Sequence, residues 1–240
     1  MNIQNTNRIF QITAAAVVLA LTACTTSNPV IDLQGETYDG MVPVLGSGMK
    51  DAWVKPDINL GEYRHLLLLP VEVHYRAVRD PGSSAVARSN ARAFPISDAN
   101  KKRLADTVTE VMREELAKSR NLTLTTEPGP DVLLVHVSLL DVVSKVPPEG
   151  PGRTEIYLDE IGEATLVLEL QDALSGETLA RAVDRRAAEA PDGIGPGTLS
   201  RVTSVTAWSD VRRVARRWAS AVTRRIDQLH NRGRMNEAAQ

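Results

Sequence analysis

The 240-residue sequence predicts an α+β fold: two layers, a mixed sheet of about five strands with two helices packed on one face. Three observations predict it. Residues 97–119 and 207–230 carry apolar side chains at spacings of three and four, so each forms a helix with one buried stripe. Five shorter segments alternate apolar and polar residues with the period of two that a half-buried strand requires. Their order, β-α-β-β-β-β-α, with strands on both sides of a helix, gives a mixed sheet with no internal repeat. A composition of 42% hydrophobic residues supports a core, while 13 Pro, 15 Gly and one Cys exclude collagen-like and disulfide-stapled chains. A formal charge of −2 argues against a dedicated nucleic-acid binder.

The amino-terminal segment is an address. Residues 1–8 are polar with one cation, Arg8, and an apolar run follows from Ile9 to Leu21. As a helix that run spans roughly 20 Å, short of the ~30 Å hydrocarbon core, so it is the centre of a signal peptide occupying residues 1–23. It ends in Leu21-Thr22-Ala23-Cys24, which resembles the lipobox of bacterial lipoproteins. The chain's one cysteine stands where a diacylglycerol thioether would form. The plain alternative is an ordinary secretory peptide with a chance cysteine. The resemblance implies an acylated Cys24 inserted in the bilayer. It also implies an outer-membrane destination, because Thr25 stands where the inner-membrane retention signal has Asp.

Residues 24–60 lack sustained periodicity and are punctuated by Gly35, Gly40, Pro43, Gly46, Gly48 and Pro56, predicting a tether and then an extended arm. Tyr38, Met41, Val42, Leu45 and Trp53 are its candidates for surface grooves. A single domain is expected over 61–230. Its first strand is His65–Val78, with Leu67, Leu69, Val71, Val73 and Tyr75 as the apolar face and Pro70 marking a bulge. Arg79–Pro95 is expected to be a polar loop. Helix one, Ser97–Ser119, has Leu104, Val108, Val111, Met112 and Leu116 as its stripe and Ser97 or Asp98 as cap. Strands follow at Leu122–Thr126 and Asp131–Ser144, then a Pro/Gly loop over Lys145–Glu160. A hairpin comes next, with Ala164–Gln171 and Thr178–Ala188 joined through Gly176. After a loop at Ala190–Ser200, helix two covers Ala207–His230 with Val211, Val214, Trp218, Val222, Ile226 and Leu229 buried. Residues 231–240 are expected to be a disordered tail.

Several stretches together resemble a family of bacterial lipoproteins, domain of unknown function 3313. They are Tyr38-Asp39-Gly40, Trp53-Val54-Lys55-Pro56, Tyr63 to Val71, the helix Leu104–Leu116, Glu127 to Leu133, Leu170 to Ala180, and Trp218-Ala219. They span roughly residues 38–225. The resemblance implies a place and a fold and carries over no catalytic residue.

Two surfaces are candidates for binding. On helix two, Arg212, Arg213, Arg216, Arg217, Arg224 and Arg225 lie between the apolar positions. Residues 201–240 carry a net +6 and residues 24–200 a net −9, so charge is segregated along the chain. The bland reading pairs these arginines with the protein's own acids, each pair worth ~0–1 kcal/mol. The functional reading sets them against anionic phospholipid or an acidic partner. On the sheet, Glu72, His74, His136, Ser138, Glu169, Gln171, Arg181 and Arg185 share one parity and form a polar face. That face is either solvated or covered by a protein or glycan.

Enzymatic signatures are absent. His74 and His136 with Glu72 are too far apart in sequence for a zinc motif, and no metal or other cofactor is expected. There is no G-x-S-x-G, and Gly193-Ile194-Gly195-Pro196-Gly197 is no dinucleotide loop, because Pro removes an N–H. The expectation is a non-enzymatic, outer-membrane-anchored periplasmic lipoprotein that binds the bilayer through Cys24 and an envelope protein partner, not nucleic acid. The alternative is a lipid- or small-molecule-handling accessory subunit of an envelope transport system.

Overall fold

The structure, a computed structural model, describes residues 30–82, 84–147, 156–189 and 200–238. The signal peptide, Cys24, the first residues of the tether and the Gly193–Gly197 stretch lie outside these.

The elements in chain order are β1 (Val30–Ile31), β2 (Val42–Leu45), β3 (Asp51–Val54), β4 (His65–Leu68), β5 (Glu72–Tyr75), α1 (Ala85–Asn90) and α2 (Asp98–Leu116). They continue with β6 (Thr123–Thr125), β7 (Val132–Ser144), β8 (Ile156–Leu158), β9 (Glu160–Asp172), β10 (Thr178–Glu189), β11 (Ser200–Val202) and α3 (Ser204–Ala238). The class is α+β and the sheet is mixed. Among the described residues it has nine strands, in the order β1-β2-β3-β10-β9-β7-β4-β6, with β5 also pairing along β7. A separate ribbon joins β8 to β11.

The sheet is thus larger than the five strands expected. Three of the extra strands come from residues 30–60, where the arm pairs antiparallel with the edge of the sheet instead of crossing the domain. Strands of two to four residues are too short for a period of two to be read in them. Met41 and Val42 are buried as expected of groove residues, whereas Tyr38 and Leu45 are exposed. The loops expected around 79–95, 145–160 and 190–200 contain α1, β8 and the start of β11.

Pro70 divides the expected first strand into β4 and β5. Both run parallel to β7, but Leu68 pairs with Val135 and Glu72 with Ser138, so four residues on one side match three on the other. With no N–H to give, Pro70 sits in this bulge, and the Val71 amide donates to Thr109 Oγ1 on α2 (3.1 Å) instead. The extra residue switches parity. Leu66 is the fully buried residue of β4, not Leu67, and beyond the bulge Val71 and Val73 face the core.

One face of the sheet holds the core. Val54, Ala180, Leu170 and Val135 are successive cross-strand neighbours, as are Ala182, Leu168 and Val137. They pack against Val108, Val111, Met112 and Leu116 of α2 and against Val214, Trp218, Ala219, Val222 and Ile226 of α3. Both long helices therefore cover the same face. Ser97 caps α2, accepting from the Asn100 amide (3.3 Å). At the head of α3, Thr203 and Thr206 exchange bonds: each hydroxyl accepts the other's amide, at 3.2 and 2.8 Å. This reciprocal cap starts the helix at Ser204, ahead of the expected 207. At its other end α3 continues through Ala238 where a disordered tail from 231 was expected. No Pro interrupts that stretch, and the good helix formers Arg232, Arg234, Met235, Glu237 and Ala238 outnumber the poor ones, Asn231, Gly233 and Asn236.

Gly162 marks a close approach of β9 to β7. A Cβ there would stand 2.4 Å from the Val143 carbonyl oxygen, beside the bulge between Leu140 and Val143 in which Asp141 takes φ 56°. Only glycine lets the two backbones meet so closely.

Candidate functional site

The sheet face away from the helices carries the polar residues that the alternation predicts. The register sets His136 beside Glu169 and Glu169 beside Arg181, while Glu72 pairs with Ser138 and Arg185 with Thr165. His74 and Gln171 share that face, since Val73 and Leu170, their neighbours in sequence, pack on the core. The face holds two ionic groups.

In the first, Glu169 is the centre. Its Oε1 accepts from Arg181 Nε (2.8 Å) and pairs with Nη2 (2.7 Å), and its Oε2 accepts from Gln171 Nε2 (3.0 Å). His136 lies between carboxylates, 3.5 Å from Glu72 and 3.9 Å from Glu169, and His74 is 3.7 Å from Glu72. The Arg181 guanidinium also stands 5.4 Å over the Tyr38 ring, which itself stacks at a tilt against Trp53, 5.4 Å between centroids.

In the second, Arg76 and Arg185 share Asp141 and Glu163. Arg76 Nε donates to Asp141 (2.7 Å) and its Nη2 to both acids, while Arg185 pairs with Glu163 (2.9 Å) and Asp141 (3.3 Å). The bond from Arg76 holds the Asp141 carboxyl below its ordinary value. Burial opposes ionisation of Glu163, but the bonds from Arg185 and Arg76 outweigh it and its pKa is lowered as well. A lowered folded-state pKa stabilises above the unfolded value, and that stabilisation is lost as pH falls through the folded value. Arg76→Met is therefore expected to move the acid-unfolding limb, below about pH 5, to higher pH. Circular dichroism along an acid titration checks this, and an unmoved limb would mean that the pairs are not linked to folding.

The basic helix face divides. Arg225 was expected on the outer face, but it turns inward: its Nε donates to the Ser47 carbonyl (2.6 Å) and its Nη2 to that of Gly46 (2.7 Å). Burial, and then the neighbouring charge of Arg224, lower its pKa. Arg213 pairs with Asp210 (2.9 Å), and Arg216 reaches Glu115 (3.4 Å) and Glu114 (3.6 Å) on α2. Glu115 is buried between the helices. Burial opposes its charge, but Lys118 (2.6 Å) and Ser220 (3.0 Å) hold its pKa below the usual value. Arg212, Arg217 and Arg224 remain exposed with no ion-pair partner among the described residues, Arg224 only touching the Ser220 carbonyl of its own helix (3.2 Å).

Sequence reasoning missed Arg76, Asp141 and Glu163. Asp141 has the parity of the core residues and reaches the polar face only through the bulge, which no local signal announces. It also missed Asp184, a buried acid on the helix side that accepts from the Trp218 indole (2.8 Å) and the Lys50 amide (3.1 Å) and pairs with Arg186.

Thr123 Oγ1 lies 2.9 Å from His65 Nδ1, but Asp131 is 3.7 Å from the other ring nitrogen, beyond hydrogen-bond reach, and the His65 and Asp131 side chains are open to solvent. A shallow concavity beside α1 is lined, among the described residues, by Arg79, Asp80, Pro81, Ala87, Asn90 and Ala91. Among the described residues no three His, Cys, Asp or Glu side chains are placed to share a metal ion, and no helix is long and apolar enough to cross a membrane.

The fold and its surfaces define an α+β domain with a helix-covered face and an open, ion-paired face. The chain belongs to the family described as "Protein of unknown function (DUF3313)", which matches residues 32–222. No curated protein matches it. Among solved structures it is similar to the PelC dodecamer from Paraburkholderia phytofirmans, with 10% identity over 75% of this chain and 94% of that one and a TM-score of 0.35. It is also similar to protein XCC0632 from Xanthomonas campestris, of family DUF330, with 9% identity over 78% and 94% and a TM-score of 0.34. Likenesses at these values carry no argument about function.

Proposed function

We propose that the protein is a lipid-anchored, non-enzymatic binding module of the bacterial envelope, held on the periplasmic face of the outer membrane by acylated Cys24. The observation that carries this reading is the position of the chain's one cysteine, directly after Leu21-Thr22-Ala23 and an apolar run too short to span a bilayer. Each acyl methylene buried contributes ~0.8 kcal/mol, so two or more chains make release negligible. The described domain supports a binding role over catalysis. On the open face Asp141, Glu163 and Glu169 are engaged by Arg76, Arg181 and Arg185, and Glu72 stands beside His74 and His136, which makes it a charged, largely ion-paired surface. An envelope protein would meet that surface or the aromatic pair Tyr38–Trp53 at its edge.

Cys24→Ser tests the anchor. In intact cells the variant is expected to leave the envelope pellet and to lose incorporation of labelled palmitate. A variant that still pellets, processed to the wild-type mass, would overturn the reading.

A further inference from the structure

We propose that in the anchored protein the rim formed by β1, β2 and the outer side of α3 lies against the bilayer, with Val30, Leu33 and Leu45 at the headgroup boundary and Arg217 and Arg224 on anionic phospholipid headgroups. The proposal rests on the anchor reading above and adds an orientation and a ligand class to it.

The first argument is reach. From Cys24 to Val30 is a span of six residues, which fully extended covers about 20 Å. β1 is one edge of the sheet and β6 the other. With neighbouring strands about 4.8 Å apart, that far edge is roughly 35 Å away. A tether of this length brings the β1 edge to the membrane and keeps the β6 edge from it.

The second is apolar exposure at that edge. Val30 is 58% exposed, Leu33 65% and Leu45 56%, and Val30 and Leu45 are direct cross-strand partners. In the middle of the sheet most leucines and valines of β7 and β9, such as Leu133, Val135, Val137, Leu166, Leu168 and Leu170, are buried under the helices, and the exposed one on β7, Leu140, is less open at 37%. Three large apolar side chains left in water within sixteen residues of one another, next to a lipid attachment point, match the partly apolar boundary of a bilayer.

The third is charge. Arg225 binds the Gly46 and Ser47 carbonyls directly after Leu45, and Trp218 reaches, through Asp184, the amide of Lys50. These two contacts lay α3 along the β2–β3 loop, so Arg224 and Arg217, each adjacent in sequence to a contacting residue, flank the same rim. They are exposed, and residues 201–240 carry the net +6. The arginines of the open sheet face are matched by acids and present no comparable excess. Tethering holds this rim at high local concentration next to headgroups, so weak individual attractions suffice to fix the orientation.

The test uses the chain from Cys24 to Gln240, unacylated, and couples its one thiol to a maleimide lipid in vesicles of phosphatidylcholine alone or mixed with phosphatidylglycerol. Arginines are then modified with phenylglyoxal and each site is followed by mass spectrometry. On the mixed vesicles, modification of Arg217 and Arg224 is expected to slow about fivefold relative to phosphatidylcholine, with Arg185 unchanged and the protection lost at high salt. Leu33→Ser with Leu45→Ser is expected to weaken the same protection while leaving circular dichroism unaltered. Equal rates on the two vesicles would overturn the proposal. So would protection of Arg185 in place of Arg217 and Arg224, or protection that follows protein density and not lipid charge, which would indicate a second copy of the chain on this rim. Because the link to lipid is made chemically, these outcomes are separate from the fractionation of Cys24→Ser.

Discussion

Trp218→Ala is expected to destabilise the domain by about 4 kcal/mol, the size of effect that follows removal of a fully packed aromatic side chain. Trp218 is 3% exposed and lies in the core between α3 and the sheet, so its removal leaves a cavity that a helix bonded to its neighbours cannot close. The second part of the loss is polar. The indole N–H donates to Asp184 at 2.8 Å inside the protein, and the same carboxylate receives the Lys50 amide and pairs with Arg186. Trp218→Phe keeps most of the volume and removes the donor, at an expected cost of about 1–2 kcal/mol for a buried acid one bond short. Urea titrations of the three proteins at neutral pH measure both parts. A Trp218→Phe variant as stable as the parent would show that the indole bond contributes nothing, and one as unstable as Trp218→Ala would show that packing does not matter.

The same residue shows how much of the fold was legible. The periodicity of Val214, Trp218, Val222 and Ile226 locates the buried face of α3, because a stripe repeated over many turns sums to a clear signal. Alternation along β7, β9 and β10 likewise separates the core face from the polar face, and the register confirms it. What the alternation cannot reveal is a partner. Nothing local links Asp184 to Trp218, Arg225 to the Gly46 carbonyl, or Asp141 to Arg76, since each contact is made by chain segments far apart in sequence. The six candidate arginines of α3 divide into three held by the protein and three with no ion-pair partner among the described residues; Arg225, seven residues after Trp218, falls on the buried side of the helix. The edge strands were hidden for another reason. β1, β2 and β3 are short, have Gly and Pro near their borders, and are held by a chain of pairings, β1 on β2, β2 on β3 and β3 on β10, more than by their own sequence pattern.

Leu66→Ala is expected to cost about 3 kcal/mol, and Leu67→Ala about 1 kcal/mol or less. A reading of residues 65–78 as one uninterrupted strand gives the opposite order, because Leu67 shares the parity of Val71, Val73 and Tyr75. The bulge at Pro70 decides between them. Leu66 is 0% exposed, pairs with Leu133 and joins the cluster that α2 and α3 cover. Leu67 pairs with Leu134 on the other face and is only half-buried. Cavity formation scales with how completely a side chain is enclosed, so the fully enclosed leucine dominates. Chemical denaturation of the two variants beside the parent, compared at equal slope, measures the difference. If Leu67→Ala proved the more damaging, the register of β4 on β7 would have to shift by one residue and the bulge at Pro70 would disappear, while Glu72 and His74, placed by the separate pairing of β5 with β7, would stay on the open face.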